Sequence, residues 1–116
     1  MYLINRQVAI VKPKQPFVDW VDSISEDPSE NVSLKEVRSE CTVYLVADGA
    51  NNEEEALEYL YEFYDEIFAD QLDGWYTDET RWPQDISLVK FKQWFDIEVH
   101  SMVVDLYEDE IEKEPY

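Results

Sequence analysis

The chain has 116 residues, a formal net charge of −19 and a single cysteine. This length is typical of one domain that buries an apolar core without metal ions, and one cysteine excludes an intramolecular disulfide bond. The acidic balance disfavours direct binding to nucleic acid or to an anionic membrane, and it favours a basic protein partner.

The start of the chain predicts a strand followed by a helix. Residues 2–11 are rich in β-branched side chains and end before Lys12 and Pro13, so they predict the first strand. Pro16 suits the first turn of a helix, and the apolar residues after it recur at helical spacing as far as Ser25. We therefore expect a short amphipathic helix after the strand.

A second helix and a second strand follow. Ser33 and Glu36 form a capping-box pattern, which predicts a helix of about two turns. Residues 42–47 are apolar on both faces, and such a run is typical of a central strand that is covered on both sides.

The strongest pattern in the sequence predicts a helix from Asn52 to Leu72. Asn52 and Glu55 form a second capping-box pattern, and Gly74 is a residue type that commonly ends a helix. The outer face of this helix is almost wholly acidic. The inward-facing residues, spaced three and four apart, are Ala56, Leu57, Leu60, Tyr64, Ile67 and Phe68.

The last third of the chain predicts an aromatic loop, a helix, a strand and a tail. Residues 74–83 combine turn-forming residues with large aromatics and end in a proline, which is typical of a loop. Ser87 precedes apolar residues at helical spacing and therefore predicts a capped helix. Residues 97–107 predict the final strand, and residues 108–116 predict a charged, flexible tail.

Together these elements predict an α+β fold in the order β-α-α-β-α-α-β. We expect a small sheet of about three strands with the helices packed on it. If the first two strands pair, the helical connection between them permits a parallel arrangement with a right-handed crossover. Residues 1–107 then form a single globular domain, and residues 108–116 form an acidic tail.

The C-terminal half contains a distinctive series of residues. Arg81, Trp82 and Pro83 are followed by the run FKQWFDIEVHSMVVDL, which extends from Phe91 to Leu106. In these residues the chain resembles a group of short, acidic, uncharacterised bacterial proteins, and the resemblance extends over most of the chain. It implies a bacterial origin, but it implies no activity and assigns no site residues.

The sequence also disfavours several kinds of cofactor and location. With only Gly49 and Gly74 as glycines, the chain has neither a dinucleotide-binding fingerprint nor a phosphate-binding P-loop. The ligands of a zinc finger are absent as well, so we expect no cofactor. The N-terminal residues lack a signal-peptide pattern, and no segment approaches the roughly 20 apolar residues of a membrane span. We therefore expect a cytoplasmic protein.

Asp96, Glu98 and His100 are the best candidates for a metal or acid–base site. Alternate residues of a strand face the same way, so two carboxylates and one imidazole can meet on one face. The simpler interpretation is a structural role in ion pairs, with Lys90 or Lys92 as partners.

Two further patterns have a chemical interpretation beside a plain structural one. Cys41 and His100 form a thiolate–imidazole pair if the fold brings them together, but Glu40 beside the cysteine favours an unreactive thiol. Residues 48–55 carry carboxylates and amides near a glycine. They depart from the calcium-binding EF-hand pattern, and a capped helix start explains them instead.

The acidic face of the predicted main helix is the first candidate for partner binding. Glu54, Glu58, Glu62, Glu66 and Asp70 recur about every 6 Å along a line of about 24 Å, and we call these five residues the acidic ridge. Such a line attracts a basic groove, either as a mimic of nucleic-acid phosphates or as the docking face of an inhibitor. An ordinary solvated helix face is the alternative interpretation.

Trp75, Tyr76 and Trp82 are the second candidate for partner binding. Large aromatic side chains on a loop are common anchors in protein interfaces. They also commonly fold inward and cover the protein's own core.

These features lead us to expect a non-enzymatic interaction or regulatory module that binds a basic protein partner through the acidic ridge and the loop aromatics. Two alternatives stay open. One is a small enzyme with metal-assisted or acid–base chemistry at Asp96, Glu98 and His100. The other is a homodimer or larger homo-oligomer, in which a second copy completes an apolar face.

Overall fold

The computed structural model describes residues 1–116 and contains five strands in two sheets. The strands are β1 (Tyr2–Leu3), β2 (Arg6–Pro13), β3 (Thr42–Ala47), β4 (Phe95–His100) and β5 (Val104–Asp105). The main sheet is antiparallel with the order β3-β2-β4, and β1 pairs with β5 in a separate two-stranded sheet.

Five α-helices and two short 3-10 helices complete the fold. The α-helices are α1 (Gln15–Ile24), α2 (Leu34–Arg38), α3 (Glu53–Tyr61), α4 (Tyr64–Asp73) and α5 (Leu88–Trp94). The 3-10 helices are Pro28–Glu30 and Glu79–Arg81. Together with the small sheet, these helices confirm the predicted α+β class.

Three helices begin at the capping residues that the sequence indicated. In each, a side-chain oxygen accepts a hydrogen bond from a main-chain N–H group in the first turn, which otherwise has no partner within the helix. The pairs of cap and donor are Ser33 with Glu36, Asn52 with Glu55, and Ser87 with Lys90.

Helices cover one face of the main sheet. Along β2, Gln7, Ala9, Val11 and Pro13 are buried and the residues between them are only half-buried, which is the alternation expected when one face is covered. α3 packs on β3 and β4, α5 on β4, and α2 on β2. A cluster of aromatic side chains in mutual contact forms part of the core, and its members are Phe17, Trp20, Phe68, Phe91, Trp94 and Phe95.

The other face of the main sheet is open to solvent along β3. Val43 and Leu45 point to this face and are 53% and 48% exposed, respectively. Their neighbours in the β2 register, Ile10 and Val8, are half-buried. The fold therefore leaves apolar side chains uncovered on an edge strand.

Several expectations about the strands are wrong. β3 is an edge strand and β2 is the central strand. The expectation failed because an apolar run indicates which side chains are apolar but not which strands lie beside it. β2 and β3 pair antiparallel, so the parallel crossover does not occur. Residues 4–5 and residues 101–103 interrupt the predicted first and last strands, which lets their outer parts pair as β1 and β5.

The predicted main helix is divided into α3 and α4 by Glu62 and Phe63. Phe63 has φ −109° and ψ 15°, outside the helical range, and its N–H bonds to the carbonyl oxygen of Leu60, three residues back. A turn of this kind is tighter than the α-helix on either side of it. The predicted end is confirmed, since α4 stops at Asp73 and Gly74 follows as its cap.

Residues 106–116 contain no helix or strand, and their side chains are exposed. The chain nevertheless returns to the folded part at its last residue, because the Tyr116 hydroxyl donates to Asp70 Oδ1 at 3.0 Å. The segment predicted as a tail thus reaches α4 through a side-chain hydrogen bond.

Candidate interaction surface

Four residues of the acidic ridge are exposed on α3, α4 and the junction between them: Glu54, Glu58, Glu62 and Glu66. None of these four carboxylates forms a salt bridge, because the acidic partners in all the ion pairs of the structure lie on β4. These four residues therefore carry negative charge that no basic residue of the protein neutralises in an ion pair.

Asp70 differs from the rest of the ridge because it is half-buried and hydrogen-bonded. Its carboxylate accepts from the hydroxyl groups of Tyr44 and Tyr116, and Gln71 Nε2 donates to the Tyr44 oxygen at 3.0 Å. Burial of Tyr44, and then the hydrogen bond that it donates to Asp70, raises the pKa of the Tyr44 hydroxyl. Asp70 therefore ties α4 to β3 and ends the ridge as a structural residue.

A groove of about 370 Å³ lies between β3 and the α3–α4 pair, and we call it the β3–α4 groove. Buried Leu60 and Ile67 lie within it, and Phe63, which is 50% exposed, lies on its wall. Glu66 and Asp70 are among its lining residues, and no basic residue is. The remaining lining residues are Tyr44, Leu45, Val46 and Tyr116. One end of the acidic ridge thus borders an apolar surface.

Sequence reasoning missed Phe63 and Leu45 as surface residues. Phe63 lies three residues after Leu60 and four before Ile67, so helical spacing was the available signal that it borders the same face. Its exposure arises at the break between α3 and α4, which the periodicity does not reveal. Leu45 alternates with buried Val46, and only the tertiary structure shows that about half of Leu45 stays exposed.

Two of the three loop aromatics support the protein's own core. Tyr76 packs edge-on against Trp20 with ring centroids 5.6 Å apart, and its hydroxyl donates to the Val21 carbonyl oxygen at 3.3 Å. The Trp82 indole N–H donates to the Tyr76 carbonyl oxygen at 2.7 Å, and its ring packs against the core. Burial and these hydrogen bonds hold both rings in the fold.

Trp75 is the loop aromatic that stays at the surface, with 41% of it exposed. It lines a shallow hollow together with Asp70, Gln71 and Tyr116. An exposed indole therefore lies close to the Asp70 end of the acidic ridge.

Asp96, Glu98 and His100 share one face of β4, and each carboxylate there has a basic partner. Asp96 lies 3.3 Å from Lys14 Nζ and 3.2 Å from Arg38 Nη2. Glu98 lies 3.0 Å from Lys12 Nζ and 3.1 Å from His100 Nε2. The hydrogen bond with His100, followed by that from Lys12, lowers the pKa of Glu98.

This arrangement is a row of exposed ion pairs. The expected partners Lys90 and Lys92 do not take part in it, and Lys92 Nζ lies instead 4.7 Å from the centroid of the Tyr61 ring. No group of three or more His, Cys, Asp or Glu side chains is arranged to hold a metal ion. The contacts of the β4 row are therefore ion pairs at the surface, where solvent screening leaves them little effect on stability.

The structure separates Cys41 from His100. Cys41 precedes Thr42, which is opposite Val11, whereas His100 is opposite Val8 on the other edge of the sheet. Val11 and Val8 are three residues apart along β2, which corresponds to roughly 10 Å. Cys41 and His100 also lie on opposite sides of β2, so the distance across the sheet separates them further. The two side chains therefore do not form a thiolate–imidazole pair.

Residues 48–55 form a turn and a capped helix start. Gly49 has φ 92°, a conformation that favours glycine. The Glu55 carboxylate accepts hydrogen bonds from the main chain and side chain of Asn51, which lower its pKa. The candidate calcium ligand is thus engaged in closing the turn before α3.

None of the helices combines the length and apolar character needed to cross a membrane. The chain matches no protein-family model, no curated protein and no solved structure. Its function is therefore inferred from the geometry and charge of its own surface.

Proposed function

We propose that the protein is a non-enzymatic interaction module that binds a basic protein partner through the acidic ridge. The observation that carries this proposal is the contrast between two acidic surfaces. On β4 the carboxylates are paired with Lys12, Lys14, Arg38 and His100. On α3 and α4 the exposed carboxylates have no such partners.

This contrast has an energetic consequence for α3 and α4. Like charges four residues apart on a helix cost a few tenths of a kcal/mol per pair. Core packing supplies far more than this, so the helices tolerate the repulsion. A basic partner removes the repulsion and gains the Coulomb attraction, whereas water and salt only screen it.

Exposed apolar side chains near the ridge supply the second part of the proposed binding surface. Phe63 and Trp75 are exposed near Glu66 and Asp70. Charge complementarity mainly accelerates encounter, while desolvated aromatic contacts mainly slow dissociation. The proposed complex therefore forms quickly at low salt and is held by these two rings.

A pull-down from a native cytoplasmic extract tests the proposal. The wild-type protein is compared with the double variant Glu58→Lys/Glu62→Lys at low and at high salt. We expect a basic protein that the wild type retains at low salt, that high salt releases, and that the double variant fails to retain.

The matched control is Glu26→Lys/Glu79→Lys, which changes the net charge equally at exposed positions away from α3 and α4. This control should retain the partner like the wild type. Equal loss in both double variants would mean that only total charge matters, and retention by both would mean that the ridge is not the binding surface. A captured protein whose basic site holds nucleic acid would identify the ridge as a phosphate mimic.

A further inference from the structure

The outer edge of β3 has no strand beside it. No main-chain hydrogen bond joins residues 42–47 to any element other than β2. In an antiparallel pair, every second residue of an edge strand turns its N–H and C=O groups outward. The six residues of β3 therefore present unpaired main-chain groups that can bind another extended chain.

The side chains of β3 do not protect this edge. Soluble proteins usually guard edge strands with lysine, proline, inward-pointing charge or a covering segment. β3 contains no lysine, proline or charged residue, and Val43 and Leu45 are half-exposed. The C-terminal segment lines a hollow beside Leu45, but it forms no main-chain hydrogen bond with β3. Tyr116 reaches the groove from the chain's own tail, but its ring stays exposed and does not fill it.

The β3–α4 groove runs beside this edge and offers apolar contact to an added chain. Leu60, Phe63 and Ile67 provide apolar surface, and the volume of about 370 Å³ is enough for one or two large side chains. Glu66 and Asp70 supply the charge at the groove. An added chain therefore meets main-chain groups, apolar surface and negative charge together.

The charge at the groove also decides the kind of chain that fits. A second copy of this protein would bring another net charge of −19 against Glu66 and Asp70, which opposes pairing of two β3 edges. A segment containing lysine or arginine compensates the same carboxylates, and its long side-chain stems cover apolar surface such as Phe63.

We infer that the outer edge of β3, together with the β3–α4 groove, binds an extended segment of the partner that contains both basic and apolar residues. The inference rests on the proposed function and adds the form that the partner takes. The segment pairs with the β3 main chain as a fourth strand, so every second side chain faces the groove. Apolar side chains at these positions enter the groove and basic ones reach Glu66 and Asp70, while the side chains between them lie on the same face as Val43 and Leu45.

A defined peptide tests strand addition directly. The probe places lysine and phenylalanine in turn at every second position, with valine between them, over at least the length of β3. The control peptide has proline in place of valine at the same charge. Proline lacks the N–H group and does not fit a ladder. We expect the probe to bind at least about tenfold more tightly than the control.

Amide hydrogen exchange locates the bound peptide. With the probe bound, the outward-facing amides of β3 should exchange at least about tenfold more slowly, because pairing shields them from solvent. Leu45→Lys should weaken probe binding, whereas Val89→Lys, which changes an exposed apolar residue on α5, should not. Circular dichroism establishes that both variants are folded.

The outcomes separate this inference from the proposed function. If both peptides bind equally and Glu58→Lys/Glu62→Lys weakens both, the ridge binds basic chains but strand addition is wrong. If the probe binds and protects β3 in wild type and double variant alike, the edge binds peptides and the ridge carboxylates at Glu58 and Glu62 have no role. Concentration-dependent protection of β3 without any peptide would show that a second copy occupies the edge, and it would overturn the inference.

Discussion

At the scale of single residues, one position can carry charge and hold the fold at the same time. Asp70 belongs to the acidic ridge by spacing, yet it accepts hydrogen bonds from Tyr44 and Tyr116. Hydrogen bonds to a charged group are worth more than neutral ones, about 1.5 to 3 kcal/mol. The contact between Tyr44 and Asp70 is therefore a main link between β3 and α4.

Replacing Tyr44 by phenylalanine tests this link. Tyr44→Phe should lower the free energy of unfolding by about 1 to 2 kcal/mol, because Asp70 loses one of its donors while the ring still packs. Denaturant unfolding near pH 7 measures the change. Tyr107→Phe is the matched control, since Tyr107 is exposed and its hydroxyl forms no hydrogen bond; an equal loss in both variants would contradict the proposed link.

The same substitution should change how stability depends on pH. The pKa of Tyr44 is raised in the folded protein, so above about pH 10 the unfolded chain loses this proton while the folded chain keeps it. Deprotonation then favours unfolding, and the stability that the group contributes is lost as pH rises through the folded-state pKa. The loss of stability above pH 10 should be smaller in Tyr44→Phe than in the wild type.

The loop aromatics show a division between structural and surface residues. Trp82→Ala should destabilise the fold by about 3 kcal/mol, because it removes a packed indole and leaves the Tyr76 carbonyl oxygen without its donor. Trp75→Ala should cost less than about 1 kcal/mol, since this ring is 41% exposed. Thermal unfolding measures both, and equal destabilisation would mean that Trp75 is as structural as Trp82.

At the scale of elements, local signals predicted helix starts well. Ser33, Asn52 and Ser87 act through neighbours three residues away, so the sequence contains all the information that these caps need. The position of β3 depends on which strands pair across the whole chain, and its six residues do not encode that. The break at Phe63 could not be predicted either, because the spacing of the apolar residues fits a continuous helix.

The cap at Asn52 gives a test at this scale. Asn52→Ala should destabilise the protein by about 1 kcal/mol, because the Glu55 N–H loses the side-chain oxygen that accepts its hydrogen bond. Asn31→Ala is the control, because the Asn31 side chain forms no hydrogen bond. Urea unfolding measures the free energy of unfolding of both variants. Equal values would contradict the proposed contribution of the Asn52 cap to stability.

The candidate site was predictable only where it depends on local helical spacing. The acidic ridge follows from one spacing along α3, α4 and the junction between them, and four of its five residues are exposed as that spacing indicates. The β3–α4 groove joins residues from β3, α3, α4 and the C-terminal segment. Its location depends on how these elements pack, so no sequence pattern predicted a surface role for Phe63 and Leu45.

At the scale of the whole molecule, charge is distributed unevenly. Residues 1–46 carry five basic and seven acidic side chains, whereas residues 47–116 carry four basic and twenty-one acidic ones. In the fold, Lys12 of β2, Arg38 of α2 and Lys14 form ion pairs with the carboxylates of β4. The surface of α3 and α4 is therefore left with negative charge, and this asymmetry is the central reason to infer a basic partner.

The most direct test is the salt dependence of the affinity for the lysine-containing probe peptide. It should be measured in the wild type, in Glu58→Lys/Glu62→Lys and in the equally charged Glu26→Lys/Glu79→Lys. We predict that affinity falls steeply with salt in the wild type and the control, and that the ridge variant binds about tenfold more weakly with a shallower slope. The same affinity and slope in both double variants would contradict the proposal that the acidic ridge binds the partner.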